Sequence, residues 1–266
     1  LFRLFVGSWP DGARRRRRIR LPTSTAPTMN EPDAFRCARC GTGDAAPLGR
    51  PPFPNEIARR EDPTRQTGGV RWGLGSEFLE DVYTTNDYAY GRDDKIINEP
   101  EVTPYLITEY VGCHTEARPT DSGQKLVRHA MVHAEIVNAV MGHPKIAGAI
   151  SWCAFDYASQ DWITVDGVQP WGIADLFRHP KWAAWFYESQ IDPQRRPVLR
   201  IASRWRVGDL AGFDPNQALM KYGHDAPLVF FSNCDRIDVC VGNKKKGTFE
   251  PAREAFPHLA HPPFLC

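Results

Sequence analysis

The sequence predicts an α/β chain in which parallel βα units come first and an all-β module follows. Three observations carry this. Short runs rich in β-branched and aromatic residues alternate with helical patterns from Asp62 onward. Those runs are apolar almost throughout, as strands covered on both faces are. After Asp192 the alternation stops, and strand-like runs follow one another with turns and no helix between them.

The strand-like runs are GGVRW, DVYTTNDY, PYLITEY and AGAISWCAFDY. Between the last two lies a helix that Asp121 or Ser122 can cap. Its apolar positions Leu126, Val127, Ala130, Met131, Ile136, Val137 and Val140 recur at helical spacing, and Gly142, His143 and Pro144 stop it. A second helix is expected from about Lys181 to Ser189. Beyond the linker IDPQRRP, the runs VLRIASRW, APLVFFSN and RIDVCVG read as strands, with Gly242-Asn243 suited to a hairpin. This module is too short for a complete seven-strand sandwich. About the first 65 residues hold neither periodicity. They carry five consecutive arginines (Arg14 to Arg18) and a Pro/Gly-rich stretch, and loop or disorder is expected there, the arginines being a solvated basic segment. The division is therefore 1–61, poorly ordered or a remnant of the preceding unit; 62–192, the βα part; and 193–266, the β module.

Composition narrows function. A net charge of +1 gives no overall field for nucleic acid or an anionic membrane. No apolar run approaches the roughly eighteen residues of a membrane span, and the first residues lack the pattern of a signal peptide. The compartment stays open. Seven cysteines are too few and too scattered for a disulfide framework, and Cys37 and Cys40 form a lone CxxC without the second pair that a zinc site needs. No metal and no cofactor is expected.

Glu109 ends the apolar run PYLIT. A carboxylate at the C-terminal end of a parallel strand, followed by a polar loop, suits nucleophile or general-base work as well as a surface ion pair. The order of motifs goes further. PYLITEY, a helix, GAISWCAFDY, WGIADLFRHPK and FFSNCDRIDVCVG together resemble the β-galactosidases of glycoside hydrolase family 2, over about Asp62 to Phe264. The resemblance implies the C-terminal part of a (β/α)8 TIM barrel followed by a partial Ig-like β-sandwich. It also implies a retaining glycoside hydrolase that cleaves terminal β-galactosides, with a carbohydrate as partner. Glu109 takes the place of the family's nucleophile, Trp152 that of the tryptophan shaping the sugar site, and Tyr88 that of a tyrosine bonded to the nucleophile.

A retaining enzyme needs a second carboxyl about 5–5.5 Å from the first. The resemblance points to Glu31, with Asn30 before it to hold the sugar 2-hydroxyl; Asn55-Glu56 is the rival pair, and absence of this carboxyl from the chain is the third alternative. His114 and Asp156 are further candidates to line the sugar site, and Trp162 and Trp171 to stack on it or to pack loops. A complete enzyme of this family carries domains before its barrel, so the chain is expected to be a piece of one. Two alternatives stay open: a non-catalytic or carbohydrate-binding remnant, and a β-glucuronidase or β-mannosidase of the same family.

Overall fold

The structure, a computed structural model, describes residues 54–70, 77–112, 115–159, 166–202, 228–241 and 243–266. Helix α1 (Pro54–Glu61) comes first. Strands β1 (Tyr83–Asp87), β2 (Tyr105–Tyr110) and β3 (Ile146–Ala149) then form a parallel sheet in that order. Helix α2 (Gly123–Gly142) makes the crossover from β2 to β3. All five residues of β1 are buried although four of them, Thr84, Thr85, Asn86 and Asp87, are polar. Beyond β3, parallel bridges join Val111 to Trp152 and Phe155 to Ala174, so the chain segment around Ala174 lies fourth in the sheet. A small hairpin, β4 (Tyr157–Ala158) with β5 (Val168–Gln169), sits between them, and helix α3 (Trp182–Ser189) follows.

The expected caps operate. Ser122 accepts a hydrogen bond from the Lys125 amide at 3.2 Å, satisfying one of the free donors at the start of α2. The long helix divides its faces between two cores. Ala130, Met131 and Ala134 pack with Trp182, Ala183 and Phe186 of α3, while Val132, Ile136 and Val140 pack with Tyr83, Tyr105 and Ile107 of the sheet.

Two expectations are corrected. Residues 54–61, placed in the irregular first segment, form a helix: Pro54 suits the first helical position, and Asn55 Nδ2 anchors the turn to the Leu79 carbonyl at 2.7 Å. GGVRW is not a strand over its described part, Gly68 to Val70. There a Cβ on Gly68 would meet the Thr84 methyl at 2.7 Å, and the Thr84 hydroxyl donates to the Gly69 carbonyl. The two glycines let the backbone press against β1 without pairing to it.

After the IDPQRRP linker, β6 (Leu199–Ile201), β7 (Val229–Ser232) and β10 (Phe264–Leu265) form an antiparallel sheet in the order β10-β7-β6. β8 (Ile237–Val241) and β9 (Lys244–Phe249) form the hairpin expected around Gly242-Asn243, with Val241 opposite Lys244. Asn233, from the FFSNC run, fixes the linker: its amide donates to the Ile191 and Arg196 carbonyls at 2.9 and 2.8 Å, and its oxygen accepts from Val198 N at 2.7 Å. Val229, Phe231, Phe256 and Leu265 enter the same core as α2 and α3. The apolar core therefore crosses position 193.

Candidate active site

Glu109 is the penultimate residue of β2, and its Cα pairs with Asn86 on β1. Tyr88, just past the end of β1, donates from its hydroxyl to Glu109 Oε2 at 2.8 Å. Both side chains are half-buried. The backbone after each strand accounts for the meeting. Asp87 accepts from the amides of Ala89 and Asn98 and from the Asn98 side chain, at 2.8 to 3.0 Å, which turns the chain sharply after β1 and presents Tyr88. After β2, Val111 and Gly112 have positive φ, 72° and 41°. A Cβ on Gly112 would come within 2.6 Å of the Tyr88 ring, so only glycine leaves room for the tyrosine above Glu109. Asn86, not singled out from the sequence, joins this group; its side chain accepts from Thr108 Oγ1 at 2.9 Å. The signal was the spacing in YTTNDY, where Asn86 stands two residues before Tyr88.

Trp152 stands at the neighbouring strand end. Its amide donates to the Tyr110 carbonyl at 3.0 Å, its carbonyl accepts from Gly112 N at 3.1 Å, and its peptide bond to Cys153 is cis. The indole N–H donates to Tyr157 Oη at 3.2 Å, and the two rings meet edge to face. Trp171 also meets Tyr157 edge-on, at 6.2 Å between centroids, and so packs against this aromatic pair. Burial pushes the Cys153 thiol up to about 11, with the carboxylates of Asp156 and Glu109 adding to the rise against the Phe155 backbone and Lys181. At neutral pH it is a thiol and a poor nucleophile.

Asp156 requires a correction. Instead of lining an open site it is buried, and its Oδ1 accepts from Lys181 Nζ at 2.5 Å and from Gly172 N at 2.9 Å. Lys181 also reaches the Pro170 carbonyl at 3.1 Å. Burial pushes the Asp156 carboxyl up and the Lys181 ammonium down, each opposed by the attraction of its partner. The pair clamps the turn after β3 to the start of α3. Sequence reasoning could not see the partnership, because 25 residues separate the two side chains.

Asn30, Glu31, His114 and Trp162 lie outside the described residues. The rival pair Asn55-Glu56 lies on α1, with the Asn55 amide occupied by Leu79 as described above. Among the described residues no cluster of three or more His, Cys, Asp or Glu is arranged to hold a metal, and no helix is long and apolar enough to cross a membrane.

No protein-family model matches the chain. Curated relatives do. Over 220 residues the chain is 38% identical to a β-galactosidase of Thermoanaerobacterium thermosulfurigenes, a match covering 79% of the chain and 29% of the relative. It is 37% identical over 228 residues to a β-galactosidase of Rhizobium meliloti, with the same coverage of both. The chain thus spans less than a third of the length of these relatives. Among solved structures, it is similar in fold to a β-glucuronidase of Parabacteroides merdae (TM-score 0.55, 15% identity, 80% of this chain and 28% of that one). A β-glucuronidase of Bacteroides uniformis is similar too (TM-score 0.51, 15% identity, 80% of this chain and 29% of that one). By sequence and by fold, then, the resemblance carried by the motifs holds: the chain is homologous to a segment of the β-galactosidases of glycoside hydrolase family 2.

Proposed function

We propose that the chain is the nucleophile-bearing part of a retaining glycoside hydrolase acting on terminal β-galactosides, built as the C-terminal part of a (β/α)8 barrel with a partial Ig-like sandwich behind it. The observation that carries this reading is the hydrogen bond from Tyr88 to Glu109 at the C-terminal ends of two adjacent parallel strands, the edge where βα folds gather their chemistry.

In this mechanism Glu109 attacks the anomeric carbon and forms a glycosyl ester as the aglycone leaves. Tyr88 holds Oε2, and Oε1 has no hydrogen-bond partner among the described residues, so Oε1 is the attacking atom. The Tyr88 bond fixes the carboxylate plane, which supports reaction by keeping the nucleophile in a near-attack orientation. Trp152 forms a wall of the sugar site. Glu31 is the acid/base that protonates the leaving oxygen and later deprotonates water, with Asn30 on the 2-hydroxyl and His114 at the rim.

The test isolates the nucleophile. A 2-fluoro-β-galactoside with a dinitrophenolate leaving group needs no proton from an acid, so it reports attack by Glu109 alone. The expected result is one fluorogalactosyl group on the peptide containing Glu109, absent in Glu109→Gln. Label on another residue, or none, overturns the assignment; faster labelling by the matching fluoroglucuronide transfers the substrate to that sugar. In Glu109→Gly, added azide should give the α-galactosyl azide, whereas the β-azide would exchange the roles of the two carboxyls.

A further inference from the structure

Directly behind Glu109 and Trp152 lies a partly buried chain of neutral polar groups. Successive strand residues face opposite ways, so while Glu109 meets Tyr88, its neighbour Tyr110 turns into the protein and is 2% exposed. The Tyr110 and Tyr187 hydroxyls lie 2.5 Å apart, and Tyr187 Oη is 2.8 Å from His133 Nδ1. Ser151, next to Trp152, opposes the rise that burial gives both tyrosines, and the Trp152 amide donates to the Tyr110 carbonyl at 3.0 Å. Four elements thus meet at one node: the end of β2, the segment after β3, α2 through His133 and α3 through Tyr187.

We propose that Tyr187 and His133 are positioning residues for Glu109 and Trp152, acting through Tyr110, which neighbours the first in β2 and accepts from the amide of the second; the assignment rests on the glycosidase reading above. Phenylalanine and leucine could fill the same space without desolvating two hydroxyls and an imidazole, so packing alone does not call for these side chains. Hydrogen bonds, unlike apolar contacts, fix distance and direction. Burial, aided by the Lys181 charge, pushes His133 down to about 3. The ring is therefore neutral at working pH, with one donor and one acceptor nitrogen, and Nδ1 takes the role complementary to that of the Tyr187 hydroxyl. Its other nitrogen has no hydrogen-bond partner among the described residues, and its ring meets that of His129 edge to face at 4.9 Å. The polar path through His133 therefore runs toward the strand ends.

The test uses the 266-residue chain, the activated fluorogalactoside and ring-¹⁵N histidine NMR. In Tyr187→Phe the saturating rate of Glu109 labelling should fall about tenfold to a hundredfold, with the half-saturating concentration unchanged and the His133 tautomer signature lost. His133→Gln, whose amide restores a polar contact, should label faster than His133→Leu, and this pair decides the question if Tyr187→Phe does not fold. An unchanged labelling rate, a change in half-saturation alone, or equal rates for Gln and Leu overturns the positioning role. If the unchanged chain takes no label while its His133 signature is intact, the glycosidase reading falls and this proposal with it. That pattern differs from a failure of the positioning role alone.

Discussion

Two carboxylates stand near neighbouring strand ends in this molecule and meet opposite surroundings. Glu109 is half-buried, bonded to a neutral hydroxyl and backed by a neutral chain of Tyr110, Tyr187 and His133. Asp156 is buried outright and locked onto the ammonium of Lys181. A carboxylate whose partner is a neutral hydroxyl has no counter-ion beside it, so it can still engage a ligand. One neutralised by a buried lysine has its charge answered within the fold and becomes structural. The difference teaches that position near a strand end does not settle what a carboxylate is available for; the charge of its partner bears on it directly.

If that contrast is right, the largest effect on stability should come from the charged side. Lys181→Met would leave Asp156 buried without its counter-ion and should cost about 3–5 kcal/mol, read from denaturant midpoints. Asp156→Leu combined with Lys181→Met should recover much of the loss, since the pair also bears the desolvation of both ions. Failure of the double replacement to improve on the single one would break the comparison.

Acid tests the neutral side next. Burial holds both His129 and His133 below the usual 6.5, the first also opposed by His133, Lys181 and Lys125 and the second by Lys181. Their native affinity for protons is below that of the unfolded chain. Their contribution is therefore complete above about pH 6.5 and is lost as pH falls from there toward the depressed native values. Each should remove about 1.4 kcal/mol per pH unit over that window, and His133→Gln should flatten the slope by one histidine's share.

Smaller still, Tyr88→Phe should cost about 1 kcal/mol, the net worth of one hydrogen bond, while slowing sugar transfer to Glu109. Smallest of all, Glu109→Gln should leave the denaturant midpoint nearly unchanged while abolishing the covalent label. A midpoint that moved as far as that of Lys181→Met would show Glu109 to be structural after all.

Much of this could be read from the sequence where the cause is local. Helix α2 was legible because its cap, apolar spacing and Gly-His-Pro stop all lie within one stretch, and β2 because PYLIT is apolar and β-branched. The Tyr88–Glu109 meeting was legible only through the family resemblance, since no spacing rule joins residues 21 apart. What stayed hidden depends on contacts between distant segments. The Asp156–Lys181 pair is one case, and the His133–Tyr187 bond, between α2 and α3, is another. α1 was missed because PNEIARRE is short and polar, and its docking through Asn55 and Arg59 onto Leu79 and Asp81 leaves no periodic trace. The boundary at 193 is legible as a change of secondary structure, yet the core ignores it.

That shared core has a consequence for how the chain is made. A ribosome delivers α2 and α3 well before Val229, Phe231, Phe256 and Leu265, the side chains that cover their apolar face. Until the last of these emerges, the nascent protein carries Met131, Phe186 and Trp182 on an unsealed surface open to chaperones and to neighbouring chains on the same message. Synthesis should thus stay vulnerable until Leu265 has cleared the exit tunnel.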